Sequence, residues 1–338
     1  MFVQSAKVKV YSVAASVLAV VGAALYVLCY LLAGDGSGYF IQGHYLPMLA
    51  NALCIASVIF LASPLVLIPK DILPEDDFMI AAGKPFAVAA APLVGTLAAG
   101  AVCYTYYEPS ELIAVLKQQR PIDVTIVCSV LAVAGALLCG TYYVFRMINV
   151  SNLNSACVIL GIGPMALMTG LCGLTYFELD HYMNVPSKIG FQLAWIATML
   201  FLTGELRVTL DKAQPRRYLA SAGLALFANA CACAPAVYVL THMTDSVHDT
   251  RTLGFALLCL GNCIYIGFRL FTFASFCASR VPDDVLEVIE DVEYAESTKD
   301  SKEPEITDKT EVTDSANSSD LPDVPEQTQG KDDQNGCQ

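Results

Sequence analysis

The chain has 338 residues, of which 55% are hydrophobic and 15% charged, too apolar a mixture for a soluble domain of that length. Its net charge of −13 is unevenly placed: 18 of the 32 acidic residues fall from Val281 onward, so the acidity belongs to the tail and the body is close to neutral. Neither part presents the basic surface that a nucleic-acid partner requires.

Lys7 and Lys9 precede an apolar run of about 20 residues, long enough to span a bilayer. No small-x-small cleavage site separates it from polar sequence, so it reads as a retained first span behind a short cytoplasmic N-terminus, residues 1–9. Eight such segments follow one another: 10–32, 46–68, 85–106, 124–147, 156–177, 189–210, 218–240 and 253–276. Backbone groups in lipid must bond within their own segment, and these segments lack the strict alternation of barrel strands. The expected fold is therefore an all-α polytopic bundle of eight transmembrane helices. The 13 cysteines lie mostly inside these segments. Without His or carboxylate at ligand spacing, they read as small hydrophobes rather than metal ligands, and no metal or cofactor is expected.

Lys7, Lys9, Lys70, Lys84, Arg146, Arg207, Lys212, Arg216, Arg217 and Arg280 fall on one side of this arrangement; Lys117, Arg120, Lys188 and Arg251 fall on the other. The excess of positive charge assigns the first side, with both termini, to the cytoplasm.

Three motifs occur twice, in the same order. Tyr39-Phe40-x3-His44-Tyr45 returns as Tyr176-Phe177-x3-His181-Tyr182. Ile55-Ala56-Ser57-x2-Phe60-Leu61 returns as Ile196-Ala197-Thr198-x2-Phe201-Leu202, and Tyr142-x2-Phe145-Arg146 returns as Tyr265-x2-Phe268-Arg269. The pattern implies two four-span repeats, 10–148 and 156–276. Four spans is an even number, so the copies are parallel, related by an axis along the membrane normal. Beyond them, Val285, Val288, Ile289 and Val292 recur at helical spacing within residues 281–296, a short amphipathic helix with an acidic face. Residues 297–338 are too polar and acidic to build a core and are expected to be disordered.

Three groups of residues carry whatever chemistry is present. His44 and His181, with Tyr39 and Tyr176, occupy matching external positions. They form either a paired metal or proton site, or interfacial anchors suited to the headgroup zone. Asn51, Gln192, Asn229 and Asn262 are the mid-span amides that a transport path would gather. Glu205, Arg146 and Arg269 are the ionisable residues nearest the hydrocarbon, where an unpaired charge is costly. Glu205 is expected to pair with Arg269 across helices, with Arg146 reaching to the headgroups or to a carbonyl. No P-loop, nucleophile elbow, zinc-protease or dinucleotide motif is present, and no catalytic residues are assigned.

The stretch Gly204-Glu205-Leu206-Arg207, running on to Pro215-Arg216-Arg217-Tyr218-Leu219-Ala220, resembles uncharacterised eight-span membrane proteins of clostridial bacteria. That resemblance covers about 40 residues of spans six and seven and implies a bacterial plasma membrane as the location. The sequence thus points to a non-enzymatic membrane scaffold or sensor whose acidic tail recruits a cytoplasmic partner. The alternative is a small-solute or ion transporter with its path between the repeats. Besides the lipid bilayer and the cytoplasmic protein, a second copy of the chain is a further candidate partner.

The charge distribution makes a topological prediction. A reporter inserted near Gln214 is expected to be cytoplasmic and one near Ser187 external. Finding both on the same side would remove span six and the parallel repeat with it.

Overall fold

The computed structural model describes residues 2–34, 39–68, 86–104, 124–148, 159–177, 185–210, 214–242 and 247–279. The tail, the amphipathic segment 281–296 and His181 lie outside the described residues. Among the described residues, ten helices follow in order: α1 (Phe2–Ala33), α2 (Tyr45–Ala62), the single turn α3 (Pro64–Leu67), α4 (Phe86–Tyr104), α5 (Val124–Ile148), α6 (Ile162–Phe177), α7 (Pro186–Thr209), α8 (Pro215–Ala232), α9 (Ala234–His242) and α10 (Val247–Ser279). Apart from one bridge between Gly34 and Phe40, the described residues are helical or in turns.

Six of these stretches are long and apolar enough to cross a membrane: 7–33, 45–67, 124–147, 186–208, 215–241 and 250–275. The segments expected third and fifth form shorter apolar helices, Val88–Tyr104 and Ile162–Phe177. Two crossing stretches are broken where proline removes a backbone donor. Pro64 separates α2 from α3 at Ser63, and Pro235 follows the break between α8 and α9 at Cys233.

The packing is a closed ring: α4 against α5, α5 against α6, α6 against α7, α7 against α8, α8 against α10, and α10 back against α4. Helix α1 lies outside the ring on α8 and α10; α2 lies further out, on α1, α3 and α8. Trp195, Tyr142, Tyr143, Tyr218, Tyr265, Phe201 and Phe273 are fully buried in one continuous core. The outward surface carries large apolar side chains such as Val20, Met48, Ile59, Val66 and Leu137, as expected of helices that face lipid. Some contacts recur between the two halves of the chain. The pairs α1–α2, α4–α5 and α5–α6 have counterparts in α6–α7, α8–α10 and α10–α1. Other contacts do not recur: α4 packs against α10 and α1 against α8, whereas the matching pairs α8–α5 and α6–α4 make no comparable contact among the described residues, and α2 packs against α8 rather than against α4.

Two sides of the ring are closed by backbone-to-backbone contact. A Cβ on Gly170 of α6 would fall 2.6 Å from the backbone nitrogen of Ala132 on α5, and one on Gly163 would fall 2.6 Å from the backbone carbon of Leu138. Gly95 of α4 and Gly261 of α10 meet each other's helices in the same way, at Leu258 and Ala91. Within a bilayer, where burial between helices gains little from leaving water, such close approach supplies the van der Waals contact that holds helices together. Gly170→Val is therefore expected to destabilise the bundle by about 1–3 kcal/mol in detergent unfolding measurements. Gly190→Ala, whose added methyl would meet no atom within 4 Å, is expected to stay within about 0.5 kcal/mol of the parent.

Candidate functional site

Among the described residues, Glu205 on α7, which is 1% exposed, is the only acid among the buried polar side chains. The preceding Gly204 lets α7 approach α8, since a Cβ there would already lie 3.3 Å from the ring of Tyr218. Arg269 of α10 grips the carboxylate with one edge of its guanidinium, both N–H groups of that edge reaching it. Its Nε donates to Oε1 at 2.8 Å and its Nη2 to Oε2 at 3.1 Å. Tyr218 of α8 donates to Oε1 at 2.5 Å, and Tyr265 of α10 donates to Oε2 at 3.4 Å. Each carboxylate oxygen therefore accepts two bonds, the condition under which a buried charge is tolerated.

Arg146 of α5 completes the group. The sequence sent it toward headgroups or a carbonyl. Instead, its Nη2 lies 3.9 Å from Glu205 Oε2 and its Nε donates to the hydroxyl of Tyr142 at 3.1 Å. The reason is spacing: Tyr142 and Arg146 stand one turn apart on the same face of α5, which draws the arginine inward along the tyrosine ring. The matching Tyr265 and Arg269 stand the same way on α10, so the two copies of the Tyr-x3-Arg pattern converge on one acid. An aromatic shell excludes water from it, with Phe201 5.5 Å from Tyr218, Tyr143 5.6 Å from Tyr265 and Phe273 5.6 Å from Tyr218, centroid to centroid. Arg207, two residues along on α7, turns the other way and donates to Gln214 at 2.8 Å.

A second polar layer joins the same three helices. Asn229 of α8 donates to Thr198 of α7 at 2.7 Å and to the Ala225 carbonyl at 2.7 Å, and Asn262 of α10 donates to Asn229 at 3.3 Å. Thr198 precedes Glu205 by seven residues and Asn262 precedes Arg269 by seven, while on α8 the order is reversed. The two layers therefore lie two turns apart, about 10 Å, along two parallel helices and one antiparallel to them.

The mid-span amides do not converge. Asn229 and Asn262 bond to each other, Asn51 accepts a bond from Tyr26 at 3.4 Å on the outer pair α1 and α2, and Gln192 is half-buried on α7, where its carbonyl faces Cys172. His44 caps α2, its Nδ1 accepting from the backbone N–H of Leu46 at 3.3 Å and its ring stacking on Tyr45. Tyr176 is exposed beside Phe177, and Tyr39 lies before the turn into α2. Among the described residues, no three His, Cys, Asp or Glu side chains gather into a metal site. Sequence reasoning did not assign Tyr218, Tyr265 or Thr198 to the site. The i, i+4 spacing of Tyr265 and Arg269 was a usable signal for one of them. Tyr218 and Thr198 had none, since their roles exist only across helices.

The fold and this site define an all-helical protein with, among the described residues, six stretches able to cross a membrane, fastened internally by two polar layers. Compared with family models, curated proteins and solved structures, the chain matches none.

The carboxylate cluster makes a quantitative prediction. Glu205→Gln or Arg269→Gln alone is expected to cost ~3–5 kcal/mol, because each leaves a buried charge without its partner. Combined, they should cost clearly less than the sum, and a double-mutant cycle on detergent unfolding reads the difference. Strict additivity would mean that the two side chains act independently.

Proposed function

We propose that this is a non-enzymatic membrane scaffold or sensor, with eight spans in two parallel repeats, both termini in the cytoplasm, and a partner recruited by the acidic tail. The carrying observation is that the intramembrane polar groups are occupied with one another. Glu205 is held by Arg269, Tyr218 and Tyr265, and Asn229 by Thr198 and Asn262. Groups arranged in this way fasten helices; a solute path would instead need them to converge on a shared opening.

The repeat is supported by the helix pairings common to both halves and by the two Tyr-x3-Arg motifs that meet at Glu205. Eight crossings require the helices Val88–Tyr104 and Ile162–Phe177 to span as well. Hydrocarbon thickness sets that requirement at roughly 17 or more residues, so both helices are at or near the lower limit. The clostridial resemblance in spans six and seven favours a bacterial plasma membrane. The tail, outside the described residues, offers an acidic surface suited to a protein partner rather than to anionic lipid.

In proteoliposomes, the full chain is expected to give no solute- or ion-dependent flux above that of empty vesicles. A photo-crosslinker at Val288 in cells should capture a defined cytoplasmic protein. A flux that disappears in the Asn229→Ala, Asn262→Ala double variant would replace this reading with transport.

A further inference from the structure

Helix α2 does not close against α7, and the space between them is a groove floored by α8. One part of it is a cavity of about 390 Å³ lined by Tyr26, Cys54, Gly190, Leu193, Leu200 and Phe227, among others. A second cavity of about 370 Å³ adjoins it, lined by Leu65, Leu200, Thr203, Arg207, Gln214 and Arg217, among others. Leu200 and Leu224 border both, so the two form one continuous trough. Along α7 it runs from Ser187 to Arg207, about 30 Å at the rise of a helix, which matches the thickness of a hydrocarbon core.

The chemistry of the trough changes along its length. The larger cavity is walled mainly by Leu, Ile, Val, Ala and Phe. A methyl added to Gly190 would meet nothing within 4 Å, so the space is unfilled by the chain itself. The other end carries two arginines, both exposed, and no carboxylate among its described lining residues. Arg207 is pinned by its bond to Gln214, and the adjacent Arg216 ties α8 to α3 through the Leu65 carbonyl at 3.5 Å. The walls at the charged end are therefore held in place, and two guanidinium groups stand at the depth where headgroups begin.

We propose that this trough is a binding site for an anionic glycerophospholipid. Its phosphate is held by Arg207 and Arg217, and one acyl chain lies along α7 past Leu200 into the larger cavity. An arginine fork matches phosphate geometry, and two positive charges with no carboxylate among the described lining residues select a net-negative headgroup over a zwitterionic one. Half the hydrocarbon thickness, about 15 Å, is the reach of a chain in one leaflet, and it ends within the larger cavity. The site goes beyond the scaffold or sensor reading and requires only that the chain lie in a bilayer.

Native mass spectrometry of the full chain in detergent, titrated with dioleoyl-phosphatidylglycerol or dioleoyl-phosphatidylcholine, reads the preference directly. One phosphatidylglycerol is expected to bind in preference to phosphatidylcholine. Each of Arg207→Gln and Arg217→Gln should reduce that preference about fivefold, and together about thirtyfold. Arg207→Lys with Arg217→Lys should restore most of it, which separates loss of charge from loss of fold. Ala197→Phe, filling the larger cavity, should weaken both lipids with the headgroup preference intact. Lys9→Gln, in a different groove, should change nothing. Equal binding of the two lipids by the parent chain, an unchanged preference in the double glutamine variant, or full displacement by inorganic phosphate would each overturn the proposal.

Discussion

The arrangement turns on one constraint: a carboxylate that is 1% exposed in an apolar bundle must be met by donors from several directions. Glu205 is met from α8 by Tyr218, from α10 by Arg269 and Tyr265, and from α5 by Arg146. Satisfying one side chain therefore fixes the mutual position of four helices. Because each donor is directional, the cluster specifies rotation and depth as well as proximity. A cluster of leucines would gain contact area without choosing a register. The Asn229 layer repeats the constraint two turns away, and two fixed layers leave α7, α8 and α10 little freedom to slide or rotate.

Around that core, two kinds of packing divide the ring. The α5–α6 and α4–α10 sides are narrow, set by Gly135, Gly163 and Gly170 in one case and by Gly95 and Gly261 in the other. The α7–α8–α10 side is wide, filled by rings and amides. Dispersion between close backbones holds one half of the ring, and directional bonds hold the other.

The two halves of the chain share motifs but differ in which helices they bring together. In the register of the recurring Ile-Ala-(Ser/Thr)-x2-Phe-Leu motif, Glu205 falls opposite Pro64. Glutamate draws α7 into the ring, whereas proline ends α2 and starts the short α3. Helix α2 thus lacks the anchor that places α7, and it remains on the outside against α1 and α8. The trough between α2 and α7 is the space left by that difference.

The residues alone determined the class of the protein, because spans of apolar sequence about 20 residues long leave the backbone no choice but helix. They also marked Glu205 and its pairing with Arg269, since an in-span acid requires a cation of similar depth. The recurrence of Tyr142-x3-Arg146 in Tyr265-x3-Arg269 was equally visible in one dimension. The tertiary structure decided that Arg146 turns inward, that Tyr218 and Thr198 belong to the polar layers, and that Asn229 and Asn262 bond to each other while Asn51 and Gln192 stand apart. Those outcomes depend on which helices become neighbours around the ring. Hydrophobic periodicity carries little of that information when every helix is apolar on all sides, and close packing at a few glycines, distant in sequence, settles it.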